Sequence, residues 1–375
     1  MQQKRGTPRD TALDITRLVA FALVPSVHFF LNAGFYSTPV SGARMYLMVF
    51  MRTFFMTCVP LFLLLTGYLM SGRQFTADKA SLGPYCRKIS KTLTTYVLST
   101  LLIVLFQKLY LGYAVTLPST VFNITNFQQY AWYVNMYIGL YLLTPFLNIL
   151  WAAIGSKEGH RLLVGVLAVL AVAPTFFNVY DFTTPGALAD PALSQVYQKL
   201  VPDWWFSLYP VLYYFLGAYI RSHVDMKKLR TWALLLALCC CVACFGVYNI
   251  WRCRGSVFPW GQWTEWGSYQ NVIDSVLLFL LINSIDFSRI RGRLAAFLGT
   301  LSGISFGAYL LSWIPDNFVY PLLMARFASI QERLPYFVPV VGFVIVVSLV
   351  LAFLTEQLRL LGARACGALI RAAKK

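Results

Sequence analysis

Apolar residues along this chain come in blocks about 20 long, parted by short polar stretches, which is the length a helix needs to cross a bilayer. Ten such blocks predict ten spans, at 12–34, 46–70, 92–112, 131–151, 162–180, 204–220, 231–250, 271–287, 295–314 and 336–356. The apolar stretch "NFVYPLLMARF" after the ninth fits a re-entrant or interfacial helix as well as a loop. The expected fold class is all-α, a polytopic transmembrane helical bundle of about ten spans. Three regions follow: a short N-terminus (1–11), a transmembrane domain (12–356) and a basic, amphipathic tail (357–375) fit to lie on the inner leaflet.

Charge placement orients the bundle. With the N-terminus inside, the inner segments hold 22 of the 31 Lys and Arg residues and the outer segments 6. Lys4, Arg5 and Arg9 begin the inner set; Arg371, Lys374 and Lys375 end it. Positive residues favour the cytoplasmic side, so both termini are expected there. An odd number of spans would put the basic tail outside.

A net charge of +17 raises nucleic acid as a partner. The basic residues, however, fall in short clusters between apolar segments and form no single face, which suits anionic lipid headgroups. Only 12% of residues are charged and 58% are hydrophobic, which excludes an ordinary soluble domain. The basic start resembles that of a signal peptide, but no small-residue cleavage site follows, so a retained first span is expected. Cys239, Cys240, Cys241 and Cys244 lie inside an apolar run with no His or carboxylate nearby; they read as small hydrophobes, and no metal site is expected.

The first block, "LDITRLVAFALVPSVHFF", carries Arg17 and His28. Eleven residues turn a helix about three full turns plus 20°, so both side chains share a face, about 16 Å apart. Asp14 lies one turn before Arg17 and can hold its guanidinium. Singly, Arg17 could snorkel to headgroups and His28 could bond another helix. Together they suggest a polar track facing the bundle interior, because intramembrane ionisable groups are costly. Histidine can act as a general base near neutral pH, and arginine suits phosphate or a carbonyl oxygen. A proton-coupled transporter would use similar groups, with Asp274, Asp286 and Glu356 as candidate carboxylates.

Other features leave alternatives open. Arg52 is a second cation inside a span, able to stabilise an oxyanion or to pair with a carboxylate. Trp132, Tyr133 and Tyr137 open the fourth span and can pack or stack an acceptor. Gly299, Gly303 and Gly307 line one helix face; close helix packing is the preferred reading, a groove for a thin ligand the other. The outer loops are rich in Trp, Tyr, Gly and Pro, which suits both a headgroup belt and sugar rings.

Taken in order, these segments resemble the acyltransferase 3 family of integral membrane acyltransferases. Arg17 and His28 match its Arg-x10-His motif, and Asp14 its Leu-Asp before the Arg. "PLFLLLTGYLM", with Thr66-Gly67-Tyr68, is similar to the stretch ending the family's second span. "WYVNMYIGLYLLTPFL" (132–147) and "ISFGAYLLS" resemble two further family segments. Leu18 replaces the common Gly after the Arg, Ser312 stands where many members have His, and no extracytoplasmic hydrolase domain is expected.

The resemblance implies a ten-span fold and O-acylation of a hydroxyl on a cell-surface glycan or envelope precursor, in a bacterial plasma membrane. The donor would be cytoplasmic acyl-CoA, most simply acetyl-CoA, with no bound cofactor. Arg17 would hold the donor, with Arg73, Arg87, Lys88 or Lys91, although charges at 71–91 also fit ordinary inner-loop residues. His28 would deprotonate the acceptor or briefly carry the acyl group. A transporter of a small solute or lipid-linked sugar is the alternative.

Overall fold

The computed structural model describes residues 10–127 and 130–372, with side chains described up to residue 365. Lys4, Arg5, Arg9, Lys374, Lys375 and the Arg371 side chain of the expected inner clusters lie outside this set. Among the described residues the chain is helical, with no β-strand; two isolated bridges, Pro39 to Val257 and Val40 to Arg254, tie two loops together.

Every predicted span coincides with helix. The first is α1 (Thr11–Asn32), started by Asp10, whose carboxylate accepts from the Ala12 N–H at 2.9 Å. The second is two helices, α2 (Ala43–Phe55) and α3 (Cys58–Met70), parted by a turn at Met56 and Thr57. Then come α4 (Lys79–Arg87), α5 (Ile89–Leu109), α6 (Leu117–Thr125) and α7 (Trp132–Ile154). Gly155, at φ 65°, ends α7 in the left-handed region that glycine enters without strain. The fifth block splits into α8 (Lys157–Ala171) and α9 (Ala173–Phe177). It is followed by α10 (Tyr209–His223), α11 (Thr231–Cys253), α12 (Tyr269–Ser284) and α13 (Gly292–Leu311). The uncertain stretch after the ninth block is α14 (Trp313–Arg326), with the short α15 (Ile330–Arg333) behind it.

The last helix, α16 (Phe337–Ala372), runs 36 residues without a break through the expected boundary at 356–357. Among the described residues, seven helical stretches are long and apolar enough to cross a membrane. The helices at the fifth, sixth and eighth predicted spans are shorter, since α8, α10 and α12 have 15, 15 and 16 residues.

Small residues set the closest contact in the bundle. A Cβ on Gly67 would lie 2.1 Å from the Tyr214 carbonyl oxygen, and one on Gly217 would lie 2.2 Å from that of Leu64. Here α3 and α10 meet backbone to backbone, as small residues permit in lipid-embedded helices. On its other side α3 packs against α1, which in turn rests on α13. Two apolar clusters result. The larger, with Phe21, Leu64, Tyr213 and Phe279, fills the middle of the bundle. The second, with Phe29, Phe35, Met48 and Phe258, sits where α1, α2 and α11 approach the connecting loops.

Candidate active site

Arg17 and His28 share a face of α1; Arg17 turns to α13 and His28 to α14, which follows α13 after a turn at Ser312. Arg17 donates from Nη1 to the Ser302 hydroxyl at 2.8 Å and lies 3.7 Å from Asp14, as the one-turn spacing implied. The nearly buried His28 places Nδ1 3.0 Å from Oδ2 of Asp316, in the first turn of α14. Asp316 accepts at the same oxygen from the Tyr130 hydroxyl at 2.9 Å, and the His28 and Tyr130 rings lie 3.9 Å apart. Asn32 donates to Tyr130 at 3.1 Å, and Tyr309 donates to the Tyr130 carbonyl. An ionised Asp316 is an acceptor only, so Nδ1 carries the proton facing it. Nε2 is then the basic nitrogen, and it makes no hydrogen bond among the described residues.

Asp316 is absent from the sequence-based candidates. The carboxylates singled out there lie elsewhere. Asp286 is exposed, Glu356 pairs with Arg359 at 2.7 Å, and Asp274 is fully buried on α12 with both oxygens unpaired among the described residues. The available signal was an acid inside "WIPDNF", close behind an apolar block. Its partner is 288 residues away, so no local pattern marked it.

A cavity of about 510 Å³ opens beside α1 between α3, α5, α7, α13 and α16. Arg17, Arg73, Lys91 and Glu356 supply its charged lining, and Tyr133, Tyr137 and Tyr309 an aromatic wall. Along α1 it extends from Arg17 to Val24, about one helical turn short of His28. The preference for packing at the glycine stripe is corrected at one position. Gly303 and Gly307 both line the cavity; a Cβ on Gly303 would meet nothing within 4 Å, whereas one on Gly307 would touch Ala352 and Thr95.

The other expected residues separate. Arg73 and Lys91 line the cavity; Arg87 and Lys88 stand exposed at the α4–α5 joint and do not. Tyr133 and Tyr137 stack at 6.1 Å along α7, while Trp132 turns away to stack on Trp266 at 5.8 Å. Arg52 is buried in a separate aromatic cage, bonded to the Tyr36 hydroxyl at 3.0 Å. Among the described residues, no three metal-ligating side chains come together.

The site is thus a buried His–Asp pair near a cation-lined cavity, within a bundle whose helices include seven, among the described residues, long and apolar enough to cross a membrane. The acyltransferase-domain family, acyltransferase 3, matches residues 10–353, and the chain belongs to it. Comparison with curated proteins and with solved structures returned no match. The chain is therefore a membrane acyltransferase, and the family gives no support to the transporter reading.

Proposed function

We propose that this membrane acyltransferase moves an acyl group, most simply acetyl, from cytoplasmic acyl-CoA to a hydroxyl of a cell-surface glycan or envelope precursor. The observation that carries the reading is the cation-lined cavity ending one turn from the His28–Asp316 pair. Its volume falls within the usual range for small-molecule sites. It suits the slender arm of acyl-CoA, with the phosphates left at the rim near Arg73 and Lys91. In this reading the bundle has ten spans with both termini cytoplasmic, in a bacterial plasma membrane. The 22-to-6 charge split supports that orientation.

The chemistry proposed for these residues balances simply. His28 Nε2 takes the proton of the acceptor hydroxyl as its oxygen attacks the thioester carbonyl. Asp316 stabilises the imidazolium that forms. Collapse of the tetrahedral adduct breaks the carbon–sulfur bond, and the proton on Nε2 goes to the departing CoA thiolate. Arg17 is assigned to the donor, held in place by Ser302 and Asp14.

Purified protein in nanodiscs, given labelled acetyl-CoA and envelope glycans from cells lacking the gene, tests this. Label should pass to the glycan with the wild type and not with H28A or R17A, both still folded. Transfer by folded H28A at the wild-type rate would overturn the assignment.

A further inference from the structure

Two arginines that the acyl-transfer chemistry does not use are buried at the end of the bundle where α1 and α11 finish. Arg52 is 1% exposed and Arg252 3% exposed. Both abut one turn, residues 262–264. The Arg252 guanidinium lies 4.1 Å over the Trp263 ring, and Arg52 Nη1 donates to the Thr264 carbonyl at 3.5 Å. Aromatic rings enclose the rest: Phe258 and Trp260 around Arg52, and Tyr197 around Arg252.

Among the described residues, no carboxylate comes within ion-pair distance of either cation. Asp181 is consumed by its own loop, accepting from the N–H groups of Thr183, Thr184, Gln195 and Val196. Asp203 pairs with Lys199 at 2.8 Å. Glu265 feels the charge of Arg52 but makes no ion pair with it, and burial holds its carboxyl above the ordinary range.

What is left unpaired has a definite shape. Five of the eleven buried side-chain nitrogen and oxygen atoms without a partner among the described residues belong to this cluster. They are Arg52 Nη2, Arg252 Nε and Nη2, Gln262 Oε1 and Trp263 Nε1. The Nε and Nη2 atoms of Arg252 form the side-on fork that grips two oxygens of one carboxylate or phosphate. An unpaired buried guanidinium is strongly unfavourable unless an anion is drawn to it. Of the neighbouring rings, Tyr197 and Trp260 are exposed and can meet a sugar, whereas Trp263 is buried against Arg252.

We infer that Arg252 and Arg52 form an anion-binding site separate from the His28 centre, taking a carboxylate or phosphate carried on a sugar. The site binds whatever chemistry His28 performs. Only its meaning as a selector of acidic acceptors rests on the acyl-transfer proposal.

The test is a titration of the full chain in nanodiscs with glucuronate, inorganic phosphate and glucose, read by calorimetry and thermal shift. At least one anion should bind saturably, with glucose inert. R252K keeps the charge and loses the fork, so it should bind about tenfold more weakly or worse. R73A/K91A should bind the anion like the wild type, which separates this site from the donor cavity. Tighter binding of glucuronate assigns the sugar carboxylate; tighter binding of phosphate assigns a phosphorylated carrier. No saturable anion binding by the wild type, or undiminished binding by R252K, would overturn the inference.

Discussion

His28 and Asp316 meet 3.0 Å apart across 288 residues of sequence, one in the last third of α1 and the other in the first turn of α14. The carboxylate also accepts from Tyr130, so its position is fixed from two sides. D316N keeps the volume and removes the charge that stabilises the imidazolium. We expect transfer to fall by about two to four orders of magnitude, with the pH profile altered. The double variant H28A/D316N should be little worse than H28A, because the two act as a unit. Activity of the three variants at matched folded concentration checks this; additive losses would refute it.

Arg73 and Lys91 line the cavity, whereas Arg87 and Lys88 do not. R73A/K91A should raise KM for acyl-CoA about tenfold with kcat nearly unchanged, and R87A/K88A should do neither. Steady-state kinetics with varied donor decides between the pairs.

Gly303 and Gly67 make opposite forecasts. Open space faces Gly303, so G303L should fold normally and block donor entry, cutting transfer at least about tenfold. Gly67 lies against the Tyr214 backbone, which cannot yield as a side chain can. G67A should therefore force α3 and α10 apart and cost about 1–3 kcal/mol or more. Thermal melts and transfer rates together separate the two, since G303L should lose rate alone.

Asp181 accepts from a threonine hydroxyl and from four backbone N–H groups of its loop, and these bonds, the hydroxyl first, hold its carboxyl below the ordinary carboxylate range. A depressed folded value means that its contribution is fully present above pH ~4, the unfolded value. It is lost as pH falls further toward the folded value. D181N should make the 178–208 segment more open to protease at pH 7, roughly as strong acid does for the wild type. Proteolysis mapped by mass spectrometry measures both.

Local spacing carried much of the site. Arg17 and His28 are linked by helix geometry alone, so the shared face and the Asp14 contact were readable in one line of sequence. Asp316 was not, because its role depends on α14 folding back against α1. Arg52 stood out as a cation in an apolar block, but apart from Tyr36 its cage, with Phe258, Trp260 and Thr264, comes from residues more than 200 positions away. Helix existence followed from hydropathy at all ten positions. The break at Met56 and Thr57 did not, since an apolar run reads the same whether or not it bends. Gly303 and Gly307 look alike in sequence, and only the positions of α5 and α16 show that an added side chain has open room at the first and close neighbours at the second.

The unbroken α16 is about 54 Å long against hydrocarbon about 30 Å thick. Glu356 sits 19 residues past Phe337, about 28 Å along the rod. If the rod enters the slab near Phe337, the cavity wall at Glu356 falls level with the opposite waterline. The doorway would then face solvent, with a stiff post for its jamb, and a charged visitor could come in without wading through oil.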